Sequence, residues 1–109
     1  MNYEILKTQE KDAVLTVLMS RPAALNALNS RFFKEMDALL ADTAGRKDLR
    51  AVVLTGEGKA FAAGADIAEM GDMGPAAARE FSRAGQRTFA AIEDLDLPVI
   101  AAVNGFALG

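Results

Sequence analysis

Apolar and polar positions change their spacing several times along the chain, and each change marks an element. Tyr3 to Gln9 alternates weakly, as an edge strand does, and Ala13-Val14-Leu15-Thr16-Val17-Leu18-Met19 reads as a second, more buried strand. Lys11-Asp12 between them predicts the turn of a hairpin. Ser20-Arg21-Pro22 closes the pair, because proline cannot donate to a ladder and restricts the residue before it. Asn29 or Ser30 then caps a helix running to about Thr43, in which Phe32, Phe33, Met36, Leu39 and Leu40 recur at helical spacing. Arg31, Lys34, Glu35 and Asp42 fall mostly outside that stripe, and Gly45 stops the helix.

The second half begins with an apolar run, Ala51-Val52-Val53-Leu54-Thr55, which predicts a strand covered on both faces. A tight turn, Gly56-Glu57-Gly58, leads to a short strand through Ala60-Phe61. Pro75 suits a first helical position, and the helix it opens runs to about Asp94 with Phe81, Thr88, Phe89, Ile92 and Leu95 facing inward. Gly85 inside it costs up to about 1 kcal/mol relative to alanine, which implies close packing there. Val99 to Val103 predicts a strand paired on both sides, turned by Asn104-Gly105. Two strands and a helix, two strands and a helix, then the start of a third unit: this is a repeat of α/β architecture without a repeat of sequence. No linker divides residues 1–109.

Composition narrows the chemistry. The chain has 109 residues, 51% hydrophobic and 25% charged, the balance of one globular domain able to bury a core. A net charge of −3 gives no basic face for nucleic acid. Without Cys or His there are no disulfides, thiol nucleophiles, usual zinc sites or Ser-His-Asp arrangements. The first residues lack a signal-peptide pattern and no apolar run approaches membrane-spanning length, so a cytoplasmic protein without membrane or nucleic-acid partners is expected.

Two nucleotide motifs fail on inspection. Gly56-Glu57-Gly58 begins like a dinucleotide fingerprint but has Phe61 where the third glycine belongs; Gly58-Lys59 suggests a phosphate loop, yet Val53 and Ala60 occupy its other key positions. The strongest candidate is Lys59-Ala60-Phe61-Ala62-Ala63-Gly64-Ala65-Asp66-Ile67-Ala68-Glu69-Met70. Its small residues permit close approach, Gly64 permits unusual dihedrals, and Asp66 can cap a helical turn. Backbone N–H groups left unpaired there suit an oxygen that gains negative charge. Asp66 is expected to be a cap, and Glu69 and Asp72 to be solvated or ion-paired rather than catalytic.

The segment A-F-A-A-G-A-D-I-A-E-M closely resembles the oxyanion-hole stretch of the enoyl-CoA hydratase/isomerase (crotonase) family. Arg21-Pro22-Ala23-Ala24-Leu25-Asn26-Ala27-Leu28 and Pro98-Val99-Ile100-Ala101-Ala102-Val103-Asn104-Gly105-Phe106-Ala107-Leu108-Gly109 are similar to the same family, in its order and spacing. The resemblance implies a crotonase-like spiral of strand-strand-helix units, of which residues 1–109 are the N-terminal part of a single domain, incomplete at the C-terminus. It implies that the Ala65 N–H is one of two donors to the thioester oxygen of an acyl-CoA. The second donor belongs to a glycine run that begins at Gly109, the matching glycine being the next residue. Substrate and CoA contacts are implied for Ala24, Leu25, Ala63, Gly64, Ala65, Asp66, Ile67, Ala68 and Gly109. Many relatives carry lysine where Ala23 and Ala68 stand here, so CoA affinity is expected to rest more on backbone contacts and on Lys59 or Arg21.

The implied activity is enoyl-CoA hydration: water adds across a 2-trans-enoyl-CoA through an oxyanion-stabilised enolate. Coenzyme A is then part of the substrate, with no separate cofactor or metal. Double-bond isomerisation or another acyl-CoA reaction of the family is the enzymatic alternative; a truncated, non-catalytic acyl-CoA-binding or assembly fragment is the alternative of a different class. Family hydratases carry two acid/base glutamates beyond the glycine run, so 1–109 is expected to hold half a site and to be inactive alone. The resemblance also implies a trimer or a dimer of trimers for the full-length parent.

Overall fold

The computed structural model describes residues 2–109. Strands β1 (Leu6–Lys11) and β2 (Val14–Met19) form an antiparallel hairpin, with Leu6 opposite Met19 and Lys11 opposite Val14. The turn falls on Asp12 and Ala13, both at positive φ, one residue later than the sequence suggests. Such a two-residue turn matches the twist of its strands. The hairpin also starts later than Tyr3. The N–H groups of Glu4, Ile5 and Leu6 donate to the Glu35 carboxylate at 2.9–3.1 Å, which draws this backbone toward the first helix.

That helix, α1 (Ser30–Thr43), has the predicted bounds. Asn29 caps it by accepting the Phe32 N–H at 2.9 Å. Its stripe Phe32, Phe33, Met36, Leu39 and Leu40 is buried as expected, but Glu35 is buried with it, in contrast to the polar face assigned from spacing. Three backbone donors satisfy the carboxylate that periodicity alone would place in water.

Strand β3 (Ala51–Gly56) runs parallel to β2, and β5 (Val99–Ala101) parallel to β3, giving the order β1-β2-β3-β5. The short β4 (Ala60–Ala62) pairs in parallel with β6 (Phe106–Ala107) in a second sheet, with a register shift between Ala60 and Ala62. Between these lie α2 (Ile67–Met70) and α3 (Pro75–Glu93). Val17, Val52, Leu54 and Val99 of the large sheet meet Met36, Leu39 and Leu40 of α1 and Ile92 of α3.

Three expectations change here. Both long helices lie on one face of β3, so Val53 and Thr55 on the other are only half-buried. Strand β5 is shorter than Val99–Val103 and pairs with β3 alone; Ile100 and Val103 are 53% and 58% exposed. Phe89, expected inward on α3, is 48% exposed, although its ring meets Phe33 edge-on at 6.3 Å. The close packing expected at Gly85 is present: a Cβ there would lie 3.0 Å from the tip of Phe33.

Candidate functional site

The site grows from the stretch after β2. Pro22–Ala24 makes one 3-10 turn, and Leu25 and Asn26 then take left-handed φ of 52° and 56°, which reverses the chain. Asn26 makes that conformation tolerable. Its buried side chain accepts the Arg21 N–H at 2.7 Å and donates to the carbonyls of Glu57 and Ala60 at 3.0 and 2.8 Å. Asn104 grips the same turn from the other side, accepting the Gly56 N–H and donating to the Gly58 and Ala60 carbonyls. Two carboxamides thus fix the β3–β4 turn and the strand that leaves it.

The strand leads into Ala63–Asp66, which lies against the 21–28 stretch. Ala63 N–H donates to Leu25 O at 3.1 Å, Leu28 N–H to Gly64 O at 2.8 Å, and Asp66 N–H to Leu28 O at 2.8 Å. The predicted residues Ala24, Leu25, Ala63, Gly64, Ala65 and Asp66 are therefore brought together. A trans peptide carries its C=O and N–H on opposite sides. Because Gly64 O faces Leu28, the Ala65 N–H is turned away from Leu28, and it meets no acceptor among the described residues.

Gly64 has φ +96°, and a Cβ on it would lie 2.6 Å from Gly109 O. Glycine is required there by both dihedral and space. The close approach brings in the last stretch of the chain, held by Leu108 N–H to Ala62 O at 2.9 Å. Beside this junction lies a cavity of about 410 Å³, walled by Leu28, Phe33, Phe81 and Phe89 and edged by Gly64, Ala65, Leu108 and Gly109. Ser82 and Gln86 are its polar side chains; among the described residues no carboxylate or cation lines it. A larger groove of about 830 Å³ between the C-terminal ends of α1 and α3 holds none of the predicted site residues.

Of the acidic residues, Asp72 is exposed, as expected, while Asp66 and Glu69 are occupied. Asp66 caps α2 by accepting the N–H groups of Ala68 and Glu69 and pairs with Arg21 Nη2 at 3.2 Å. Glu69 is neither free nor ion-paired as the sequence suggests; it accepts the N–H and hydroxyl of Ser30 and so ties α2 to the start of α1. Arg21, expected as a contributor to CoA affinity, is held by Asp66 and by Ala27 O at 2.6 Å. Lys59 stays exposed. Ile67 is 81% exposed and Ala68 is also open, both at the mouth of the 63–66 segment. At the foot of the site, the Ser20 hydroxyl and then Lys7 hold the Glu57 carboxyl below its ordinary range.

Residues 9–109 match the sequence profile described as enoyl-CoA hydratase/isomerase. The chain belongs to that family. It is 49% identical over its whole length to the short-chain-enoyl-CoA hydratase of Clostridium acetobutylicum and 46% identical to the crotonyl-CoA hydratase of Syntrophomonas wolfei, spanning 41% and 42% of them. Its fold superposes on the crystal structure of enoyl-CoA hydratase from Bacillus anthracis with a TM-score of 0.94 and 32% identity, over 97% of this chain and 42% of that one. The α/β architecture is thus that of the enoyl-CoA hydratase fold, of which this chain spans about two fifths.

Within this member of the enoyl-CoA hydratase/isomerase family, Asn26 and Asn104 are the positioning residues that spacing did not single out. Each is a polar residue in an otherwise apolar stretch, Ala24-Leu25-Asn26-Ala27-Leu28 and Ala101-Ala102-Val103-Asn104-Gly105-Phe106, and that isolation is the available signal. Among the described residues, no cluster of His, Cys, Asp and Glu is placed to hold a metal ion, and no helix is long and apolar enough to cross a membrane.

Proposed function

We propose that this chain is the oxyanion-binding portion of an enoyl-CoA hydratase that adds water across a short 2-trans-enoyl-CoA. The observation that carries this is the Ala65 N–H, turned away from Leu28 and without an acceptor among the described residues, beside an apolar cavity. Addition of water to a conjugated thioester passes through an enolate. A fixed dipole aimed at its oxygen needs no reorganisation as charge develops. A backbone donor explains why an alanine holds the position.

In this reading the acyl group enters the cavity beside Phe33 and Phe81. The thioester oxygen sits at Ala65, with Gly109 opening the stretch that brings the second donor. Ala24, Leu25, Ala63, Gly64 and Asp66 shape the channel through backbone groups, and exposed Ile67 and Ala68 flank the CoA. Cofactors beyond the CoA of the substrate are not needed. Among the described residues no side chain lining the cavity is an acid or base, and in this reading other groups of the enzyme move the proton and water. The cytoplasm and a homotrimer or dimer of trimers complete the proposal, in line with the resemblance.

The test joins residues 1–109 to the remaining three fifths of the Clostridium acetobutylicum relative and measures hydration of crotonyl-CoA. The chimaera should form 3-hydroxybutyryl-CoA, and Ala65→Pro, which deletes the N–H, should lower turnover by about 100-fold or more. A folded chimaera without hydration, or one indifferent to Ala65→Pro, would overturn the reading.

A further inference from the structure

A hydrogen bond to the oxygen of a trans peptide fixes the direction of its N–H and polarises it. The Gly64–Ala65 peptide receives such a bond at Gly64 O from the Leu28 N–H, at 2.8 Å. The Ala27–Leu28 peptide, which supplies that N–H, receives one at Ala27 O from Arg21 Nη1, at 2.6 Å. Two peptide dipoles therefore stand head to tail between a guanidinium and the Ala65 N–H.

We propose that Arg21 is a positioning residue for the reaction, acting through the Ala27–Leu28 and Gly64–Ala65 peptides to aim and polarise the Ala65 N–H toward the thioester oxygen. The catalytic consequence rests on the hydratase reading above; the relay of dipoles does not. A guanidinium is a planar cation that offers several donors in a rigid fork. Arg21's contact to Ala27 O is the shorter of two, the other being Asp66 Oδ2 at 3.2 Å. Its side chain is only 24% exposed, so solvent screens the field weakly. Asp66 offsets part of the charge, yet by capping α2 it anchors the second arm of the fork and keeps the first against Ala27 O.

The size of the effect follows from the links. Loss of a whole oxyanion donor costs about 100- to 1000-fold, and cooperative strengthening is about 10–30% per bond, so removing the cation should cost about 2- to 8-fold in turnover.

The chimaera described above, with Arg21→Gln, Arg21→Lys and Asp66→Asn, tests this by three readouts. These are kcat and KM for crotonyl-CoA, the ¹³C shift of bound carbonyl-labelled butyryl-CoA, and the ¹H shift of the Ala65 amide without ligand. Arg21→Gln should lower kcat by about 2- to 8-fold with KM within about twofold, move the carbonyl upfield and move the amide proton upfield. Arg21→Lys, which keeps the cation and loses the fork, should show smaller shifts in the same directions and carries the comparison should Arg21→Gln not fold. Asp66→Asn keeps the cap and removes the charge that offsets Arg21, so it should move neither shift upfield. Unchanged shifts in the Arg21 variants, or equal shifts in Asp66→Asn, would overturn the relay. If the parent chimaera binds butyryl-CoA but does not hydrate crotonyl-CoA, the hydratase reading falls, while the two shifts still decide the role of Arg21.

Discussion

Alanine at position 64 would meet two obstacles at once: a left-handed φ of +96°, and Gly109 O only 2.6 Å from its Cβ. The dihedral alone costs about 1–2 kcal/mol, and the contact is with backbone, which must shift to make room. Gly64→Ala should therefore lower stability by about 2 kcal/mol or more, measured by urea unfolding, and should displace the 105–109 stretch. Asn26→Ala leaves one buried N–H and shares in two carbonyls unpaired; at about 1 kcal/mol or more for each lost partner, a loss of about 3 kcal/mol is expected in the same measurement. At this scale Gly64 and the capping Asp66 were legible, because dihedral freedom and cap chemistry belong to the residue itself. Glu35 was not. Arg31, one turn earlier, pairs with it at 3.1 Å, but its burial also rests on three N–H groups from Glu4 to Leu6, and helical spacing does not reveal partners about thirty residues away.

Between elements, two contacts make measurable predictions. Glu57 joins the start of the β3–β4 turn to Ser20 at the end of β2 and to Lys7 on β1. Its folded-state carboxyl titrates below the ordinary 4.5, through the Ser20 hydroxyl first and Lys7 after it. A depressed folded value contributes stability that is present above the unfolded value and is lost as pH falls through the folded one. Melting temperature against pH should thus fall less steeply below pH 4.5 in Glu57→Gln than in the parent. On α3, Gly85→Ala gains up to about 1 kcal/mol of helix propensity but forces the Phe33 ring away from a Cβ at 3.0 Å. Phe33 also packs on Phe81 at 5.4 Å, so the ring has little room and a net loss of about 1 kcal/mol is expected from overpacking. The bounds of α1 could be read from an uninterrupted stripe with a cap. Strand β5 could not, because its apolar content signals burial without saying whether one neighbour or two provides it.

For the molecule as a whole, the apolar side chains left open are concentrated late in the chain: Ile100, Val103, Phe106 and Leu108 are each more than half exposed, beside the unpaired edge of β5. Exposed N–H and C=O groups next to apolar side chains favour association. Residues 1–109 in isolation should therefore sediment as a mixture of associated species, and the chimaera with the Clostridium acetobutylicum relative should give a discrete boundary. A sharp monomer boundary for 1–109 would sink this expectation. Sequence motifs named the three stretches that form the site, yet their meeting at Leu28, Gly64 and Gly109 is a property of the fold. Spacing along a chain does not report which carbonyl faces which amide.

The free N–H at Ala65 belongs to the main chain, and this has a consequence for how the site tolerates genetic change. Any residue except proline carries that N–H, so codon changes at 65 should be limited by side-chain size and not by chemistry. The instructions for aiming the donor are written instead at Arg21, Leu28 and Gly64. A saturation library of the chimaera, selected for crotonyl-CoA hydration, should accept small residues such as serine and glycine at 65 while rejecting nearly every change at 64. Such a site would drift in the letter of its sequence at the very position proposed to touch the substrate, and hold firm one residue before it.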